Sequence, residues 1–85
     1  MSRAGCANLA AMEPRYHVVQ IEDGLRNDLG EMAEMKLYSH LKVRLGLDMD
    51  EAETVLADLE KNPSATVYST DGRIRLEVKR LNTRE

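Results

Sequence analysis

The chain has 85 residues, enough for one small domain whose core would bury about 60 % of the surface that the unfolded chain exposes. With neither Trp nor Phe, the core must come from Leu, Val, Ile and Met with up to three Tyr. No run approaches the roughly 20 apolar residues needed to cross a bilayer, so we expect a soluble protein without a membrane partner. The single Cys6 excludes an intramolecular disulfide, so we expect a reducing compartment, the cytoplasm.

The first part of the chain predicts a tail followed by a strand. Residues 1–14 are small, weakly patterned and end in a proline, so we expect a flexible N-terminal tail before a single α+β domain of residues 15–85. Residues 16–21 contain two adjacent valines and predict a short strand. The acidic stretch before Gly24 ends that strand.

Residues 25–45 are good helix formers without proline, but their apolar face changes direction. Leu29 belongs to one stripe, whereas Leu37 falls on a stripe roughly opposite when residues advance by about 100°. A straight surface helix would keep one stripe. We therefore expect either a helix broken near residues 34–36 or a long helix contacted from two sides.

The most clearly encoded element is a helix that follows Asp48. Asp48 and Glu51 have the spacing of a capping box, Gly46 suits the C-terminal cap of the preceding helix, and Asn62-Pro63 ends the new one. The apolar positions at helical spacing are Met49, Ala52, Val55, Leu56 and Leu59. Six acids and no base stand between positions 48 and 60, so the other face of this helix is predicted to be acidic.

The segment after this helix predicts a β-hairpin. Strands 65–70 and 73–79 flank the dipeptide Asp71-Gly72, which favours a two-residue type I′ turn. Such a loop would pair Val67 with Leu76. Apolar and charged residues alternate in the second strand, which indicates one covered and one solvent-facing side.

Leu41 and Leu45 before a glycine turn at Gly46, and apolar residues after it, are what two steeply crossing helices need at their corner. With the hairpin behind them, residues 25–80 resemble a winged helix-turn-helix domain. The segments that carry the resemblance are LGEMAEM, LYSHLKVRLG, LDMDEAETVLADLEK and ATVYSTDGRIRLEV. The resemblance implies either a DNA-binding regulator or a module that binds proteins, since members of the family do both.

The acidic helix favours a protein partner. In winged-helix DNA binders this helix carries hydrogen-bond donors for bases and phosphates. A carboxylate about 7 Å from a phosphate in water costs roughly 0.6 kcal/mol. We therefore expect a small non-enzymatic binding or regulatory protein that contacts a basic protein surface, such as a phage or other mobile-element inhibitor that blocks a nucleic-acid-binding surface. The predicted protein-binding residues are Asp50, Glu51, Glu53, Thr54 and Asp58. The competing interpretation is an acidic face that is simply solvated.

The alternative function is a winged-helix DNA-binding transcriptional regulator. Five bases and one acid stand between positions 73 and 84, and a tyrosine in the hairpin is available for stacking. The candidate nucleic-acid-binding residues are Lys42, Arg44, Tyr68, Arg73, Arg75 and Lys79. Charged strands also protect exposed sheet edges, which is the simpler interpretation of the basic hairpin. Because helix and hairpin carry opposite charges, a monomer and a homodimer are both open.

The sequence lacks the residue patterns of catalysis. His17 is predicted in a strand, His40 in a helix and Cys6 in the tail, so no convergent metal site is expected. The acidic run from Asp48 lacks the glycine that a calcium loop has at its sixth position. We expect no enzymatic activity, metal or cofactor.

Overall fold

A computed structural model describes residues 14–81 of the protein. The elements in chain order are β1 (Arg15–Glu22), β2 (Leu25–Ala33), α1 (Glu34–Val43), α2 (Met49–Lys61), β3 (Ser64–Tyr68) and β4 (Ile74–Arg80). The strands form one four-stranded antiparallel sheet in the order β2-β1-β4-β3, so the first and last strands pair at its centre. The domain is small and α+β as predicted, with one more strand than expected. Except for Pro14, the predicted tail lies outside the described residues.

Strand β2 is the largest departure from the sequence prediction, because it occupies part of the predicted helix 25–45. Asp23 and Gly24 have φ values of 55° and 78°, and Glu22 pairs with Leu25 across them. Two successive positive φ values are the signature of a two-residue type I′ hairpin turn. The helix propensity of this segment is therefore overridden by pairing with β1.

Helix α1 starts at Glu34, inside the predicted break at residues 34–36. The change of apolar stripe there marks a change from strand to helix, so both earlier interpretations, a broken helix and a long continuous one, are wrong. Gly46 follows the helix with φ 76°, and its N–H donates to the carbonyl oxygen of Lys42 at 3.1 Å. Gly46 therefore lies in the turn after the helix with the positive φ expected of a glycine there, but the residue that caps the helix is Arg44.

Helix α2 has the predicted start and end. The Asp48 side chain accepts from the N–H of Glu51 at 2.8 Å, and the Glu51 carboxylate accepts from the N–H of Asp48 at 3.0 Å. This capping box satisfies two N–H groups that the first turn leaves without helical partners. Asn62 caps the C-terminus, and Ala52 and Leu59 are buried.

The hairpin of β3 and β4 has the predicted register but a different turn. Val67 pairs with Leu76, as expected. The N–H of Gly72 donates to the carbonyl oxygen of Ser69 at 2.9 Å, which places the turn one residue earlier than predicted. Asp71 does not have the positive φ that a type I′ turn requires of it, so that turn type is wrong.

The hairpin turn is held by a helix corner and by its own side chains. Thr70 donates its N–H to the carbonyl oxygen of Leu45 at 2.9 Å, which withdraws Thr70 from the strand ladder. Ser69 Oγ donates to Asp71 Oδ1 at 2.6 Å and accepts from the N–H of Ile74 at 3.1 Å. The hydrogen bond from Ser69 lowers the pKa of Asp71.

Both helices pack on one face of the sheet, and the core lies between the helices and the sheet. The buried core residues are Tyr16, Val18, Met32, Leu37, Leu41, Leu45, Ala52, Leu59, Leu76 and Val78. Burial raises the pKa of the Tyr16 hydroxyl. The other face, called the open face below, carries no helix among the residues described.

Candidate binding surfaces

The predicted protein-binding residues of α2 are all exposed, and they lie on the side of the helix away from the sheet. They are Asp50, Glu51, Glu53, Thr54 and Asp58. The apolar positions Ala52 and Leu59 face the core, so the helix is amphipathic as its sequence pattern predicts.

Two of these five residues have local structural roles. The Glu51 carboxylate belongs to the capping box, and Thr54 Oγ1 donates to the backbone carbonyl oxygen of Asp50 at 2.9 Å. The carboxylates of Asp50, Glu53 and Asp58 have no such role. We call these three side chains the acidic surface.

No base within residues 14–81 makes an ion pair with the acidic surface. Two arginines of the sheet pair elsewhere: Arg26 Nη1 is 3.3 Å and Arg75 Nε is 3.8 Å from the carboxylate of Glu77. Within the described residues, the hairpin of β3 and β4 therefore makes no ion pair with the acidic surface.

The six candidate nucleic-acid-binding residues do not form one surface. Lys42 and Arg44 lie in the helix layer, where Lys42 Nζ is 5.0 Å from the centre of the Tyr38 ring. Arg44 Nε donates to His40 Nδ1 at 2.9 Å, and its Nη1 donates to Gln20 Oε1 at 3.1 Å.

The hairpin members of that set lie on the other side of the sheet. Because Val67 and Leu76 face the core, the alternation of side chains turns Tyr68, Arg75 and Lys79 to the open face. Arg73 stands in the adjacent loop. The structure thus divides the predicted set between two opposite faces.

Strand register arranges the open face in rows that cross all four strands. The first row is Arg26, Ile21, Arg75 and Tyr68; the second is Asp28, Val19, Glu77 and Thr66; the third is Glu31, His17, Lys79 and Ser64. We call the first row the arginine row. The second row has two acids and no base, and the third has one acid with a histidine and a lysine, whereas the arginine row has two cations and no anion.

The arginine row borders an open concavity of ≈ 550 Å³. Arg73 and Asp23 line it from the two neighbouring turns. Ile21 is only 6 % exposed although it faces away from the helices, whereas Tyr68 is 56 % exposed. The concavity therefore combines a small apolar floor with a free aromatic ring and guanidinium groups.

Arg26 and Ile21 are the members of this row that the sequence does not predict as site residues. The sequence predicts a helix over Arg26, where nothing would place it beside Ile21 or Arg75. The missed signal is the dipeptide Asp23-Gly24: once it is recognised as a hairpin turn, counting outward pairs Arg26 with Ile21.

The two described histidines, His17 and His40, lie on opposite faces of the sheet and have different partners. His17 Nε2 donates to Asp28 Oδ1 at 2.7 Å on the open face, and this hydrogen bond, with one from the Gly30 N–H, lowers the pKa of Asp28. His40 lies in α1, where burial and the positive charge of Arg44 lower its pKa.

Residues 14–81 contain no group of three or more His, Cys, Asp or Glu that could hold a metal ion. Cys6 lies outside the described residues.

Comparison with known proteins adds no relative. No protein-family model matches the chain, and no curated protein or solved structure does so. The resemblance to winged helix-turn-helix domains therefore stays a prediction. Neither described helix has the length and apolar character needed to span a bilayer.

Proposed function

We propose that the protein is a non-enzymatic binding protein that contacts a basic surface of another protein through α2. The observation that carries the proposal is the acidic surface itself: Asp50, Glu53 and Asp58 are exposed and have no cationic partner within residues 14–81. Helix capping accounts for the carboxylates of Asp48 and Glu51 but not for these three.

The physical basis is electrostatic complementarity. Carboxylates held on a helix keep a fixed spacing, with one turn every 5.4 Å or so. A partner with a matching basic patch would be attracted before contact, which raises the association rate and makes it sensitive to salt. Basic patches of this kind are common where proteins hold nucleic acid. The same geometry would suit an inhibitor that occupies such a site.

The first test is affinity capture with charge-reversed α2. The double variant Glu53→Lys/Asp58→Lys should fold normally and capture at least about tenfold less partner than the wild type. The matched control, Glu22→Lys/Glu31→Lys, makes the same change in net charge on β1 and β2 and should capture as the wild type does. Equal capture by both variants would contradict the proposal.

The second test locates the contact. With the captured partner purified, its addition to ¹⁵N-labelled protein should perturb amides of α2 and leave the open face unchanged. Displacement of nucleic acid from the partner by the wild-type chain, and not by Glu53→Lys/Asp58→Lys, would support the inhibitor. A footprint confined to the sheet would overturn the assignment of the surface.

The rival function, a DNA-binding regulator, is tested by fluorescence polarisation with random duplex DNA at low salt. Its six cationic and aromatic residues are divided between the helix layer and the open face. This division argues against their making one common contact with a DNA duplex. Micromolar binding that weakens steeply with salt and is abolished by Arg75→Glu would support the rival over the proposal.

A further inference from the structure

The arginine row forms a second surface, independent of α2 and on the opposite side of the sheet. We propose that this row, with Arg73, binds a nucleoside phosphate whose base is unstacked, either a free nucleotide or a unit of single-stranded nucleic acid. The proposed protein-partner function neither requires nor uses this surface.

The centre of the row is apolar and aromatic. Ile21 is 6 % exposed on a face without helices, so its neighbours in the row shield it from water. The stems of Arg26 and Arg75 stand on either side of it in the register. Tyr68, at 56 % exposure, offers a ring at the end of the row, and an exposed ring is a platform on which a base can stack.

The rim of the concavity is cationic. Arg26 and Arg75 share the single carboxylate of Glu77 at 3.3 and 3.8 Å, and their side chains are 63 % and 41 % exposed. Exposed ion pairs of this length hold a guanidinium weakly, and each guanidinium has five N–H donors. Arg73 makes no ion pair within residues 14–81, and the nearby carboxylate of Asp71 attracts it. Asp23 is the acid that lines the space. The three guanidinium groups have more N–H donors than these carboxylates occupy, which leaves donors for a phosphate.

The combination favours a nucleotide over a bare anion or a duplex. A bare anion gains nothing from Tyr68 or from the floor at Ile21. In a duplex the bases are already stacked on one another, so their faces cannot reach a ring on an open sheet. A nucleoside phosphate with a free base uses both parts of the surface, the ring for the base and the guanidinium groups for the phosphate.

The test is an NMR titration of the ¹⁵N-labelled full chain at low salt with AMP, ribose 5-phosphate, adenosine and oligonucleotides of about eight thymidines or uridines. AMP and the single strands should shift amides around the arginine row. Ribose 5-phosphate and adenosine, which each lack one half of the ligand, should bind at least about fivefold more weakly than AMP. Tighter binding by an oligonucleotide than by AMP identifies a single strand as the source of the ligand, and the reverse identifies a free nucleotide.

Matched variants separate the proposed contacts from general charge effects. Arg26→Gln/Arg75→Gln should weaken AMP binding by about tenfold, whereas Lys36→Gln/Lys61→Gln, which removes the same charge from the helix layer, should weaken it by less than about twofold. Tyr68→Leu should cost at least about fivefold and Tyr68→Phe should keep the affinity, because the ring and not the hydroxyl stacks.

Three results would overturn this inference. The first is no amide shift with AMP or with either oligonucleotide. The second is equal weakening by the two double variants at arginine and lysine. The third is equal affinity for AMP and ribose 5-phosphate, which would mean a simple anion site. Glu53→Lys/Asp58→Lys should retain AMP binding. The protein-partner proposal and the nucleotide proposal are therefore tested on different variants, and either can fail without the other.

Discussion

The two faces of the sheet are made by the same strands, yet they differ in what they bury. The covered face contributes Tyr16, Val18, Leu76 and Val78 to one continuous core with both helices, each at most 2 % exposed. On the open face Ile21 is the buried apolar residue, and it lies outside that core cluster. Most other side chains there are charged or polar and are held by exposed ion pairs.

This difference assigns stability and binding to separate sides of the molecule. Burial of apolar surface is the main favourable term in folding, so the covered face should carry most of the free energy of unfolding. Exposed ion pairs contribute little to it. The open face can therefore change its charges with small effects on stability, and the following predictions measure how complete that separation is.

The largest effect is expected from Leu41→Ala in the core. Leu41 is 0 % exposed between the helices and the sheet, so its truncation should lower the free energy of unfolding by about 2–5 kcal/mol. Thr66→Ala on the open face should change it by less than about 0.5 kcal/mol. Urea unfolding followed by circular dichroism measures both. A Thr66→Ala loss as large as that of Leu41→Ala would remove the distinction between the faces.

Two glycines with the same backbone conformation sharpen the comparison. Gly46 and Gly24 have φ values of 76° and 78°, so a Cβ is strained at both by about 1 kcal/mol or more. At Gly46 that Cβ would also lie 3.2 Å from Thr70 Oγ1, whereas nothing lies within 4 Å of it at Gly24. Gly46→Ala should therefore cost about 2 kcal/mol and Gly24→Ala about 1 kcal/mol in thermal unfolding. A larger loss for Gly24→Ala than for Gly46→Ala would mean that the Thr70 side chain moves away from the added Cβ without loss of stability.

Ile21→Ala tests whether the open face has a core of its own. Its neighbours in the arginine row are long side chains that can collapse into the vacated space, so the loss should be about 1–2 kcal/mol, below that of Leu41→Ala. Urea midpoints of the two variants give the comparison directly. Equal losses would mean that the arginine row is part of the folded core and is not free to bind a ligand.

The smallest effect concerns pH and the helix layer. Burial first, and then the charge of Arg44, lowers the pKa of His40 below its ordinary value of 6.5. The unfolded chain therefore binds a proton at a higher pH than the folded protein does. The stability that His40 contributes should be complete above the ordinary pKa of 6.5 and should fall as the pH drops below it. His40→Gln should reduce this fall in urea unfolding, and an unchanged pH profile would contradict the assignment.

The two Asp-Gly dipeptides show how far local sequence predicts turns here. The sequence predicts a type I′ turn at Asp71-Gly72, but Thr70 donates its N–H to the Leu45 carbonyl oxygen and the turn starts one residue earlier. Asp23-Gly24, with φ values of 55° and 78°, does form such a turn and was missed because good helix formers follow it. The dipeptide indicated a hairpin in both cases. Which turn it adopts depends on what the neighbouring elements contact.

The acidic surface and the arginine row also differ in how far the sequence predicts them. The exposure of Asp50, Glu53 and Asp58 follows from the period of one helix, so the sequence was sufficient to predict it. The arginine row needs four strands in one register, and no local pattern brings Arg26 to Arg75. Half of it, Tyr68 opposite Arg75, was predictable because a single hairpin holds both.

The sequence by itself determined the α+β class, the acidic helix with its capping box, the glycine turn that follows α1 and the register of the last hairpin. Each of these depends on residues close together in the chain, where propensity and spacing act directly. Only the tertiary structure decided that residues 25–33 form a strand, which turn closes the last hairpin, and that Lys42 and Arg44 face away from Arg75. Those features depend on hydrogen bonds and packing between distant segments, whose energy exceeds the small local preferences of the residues involved.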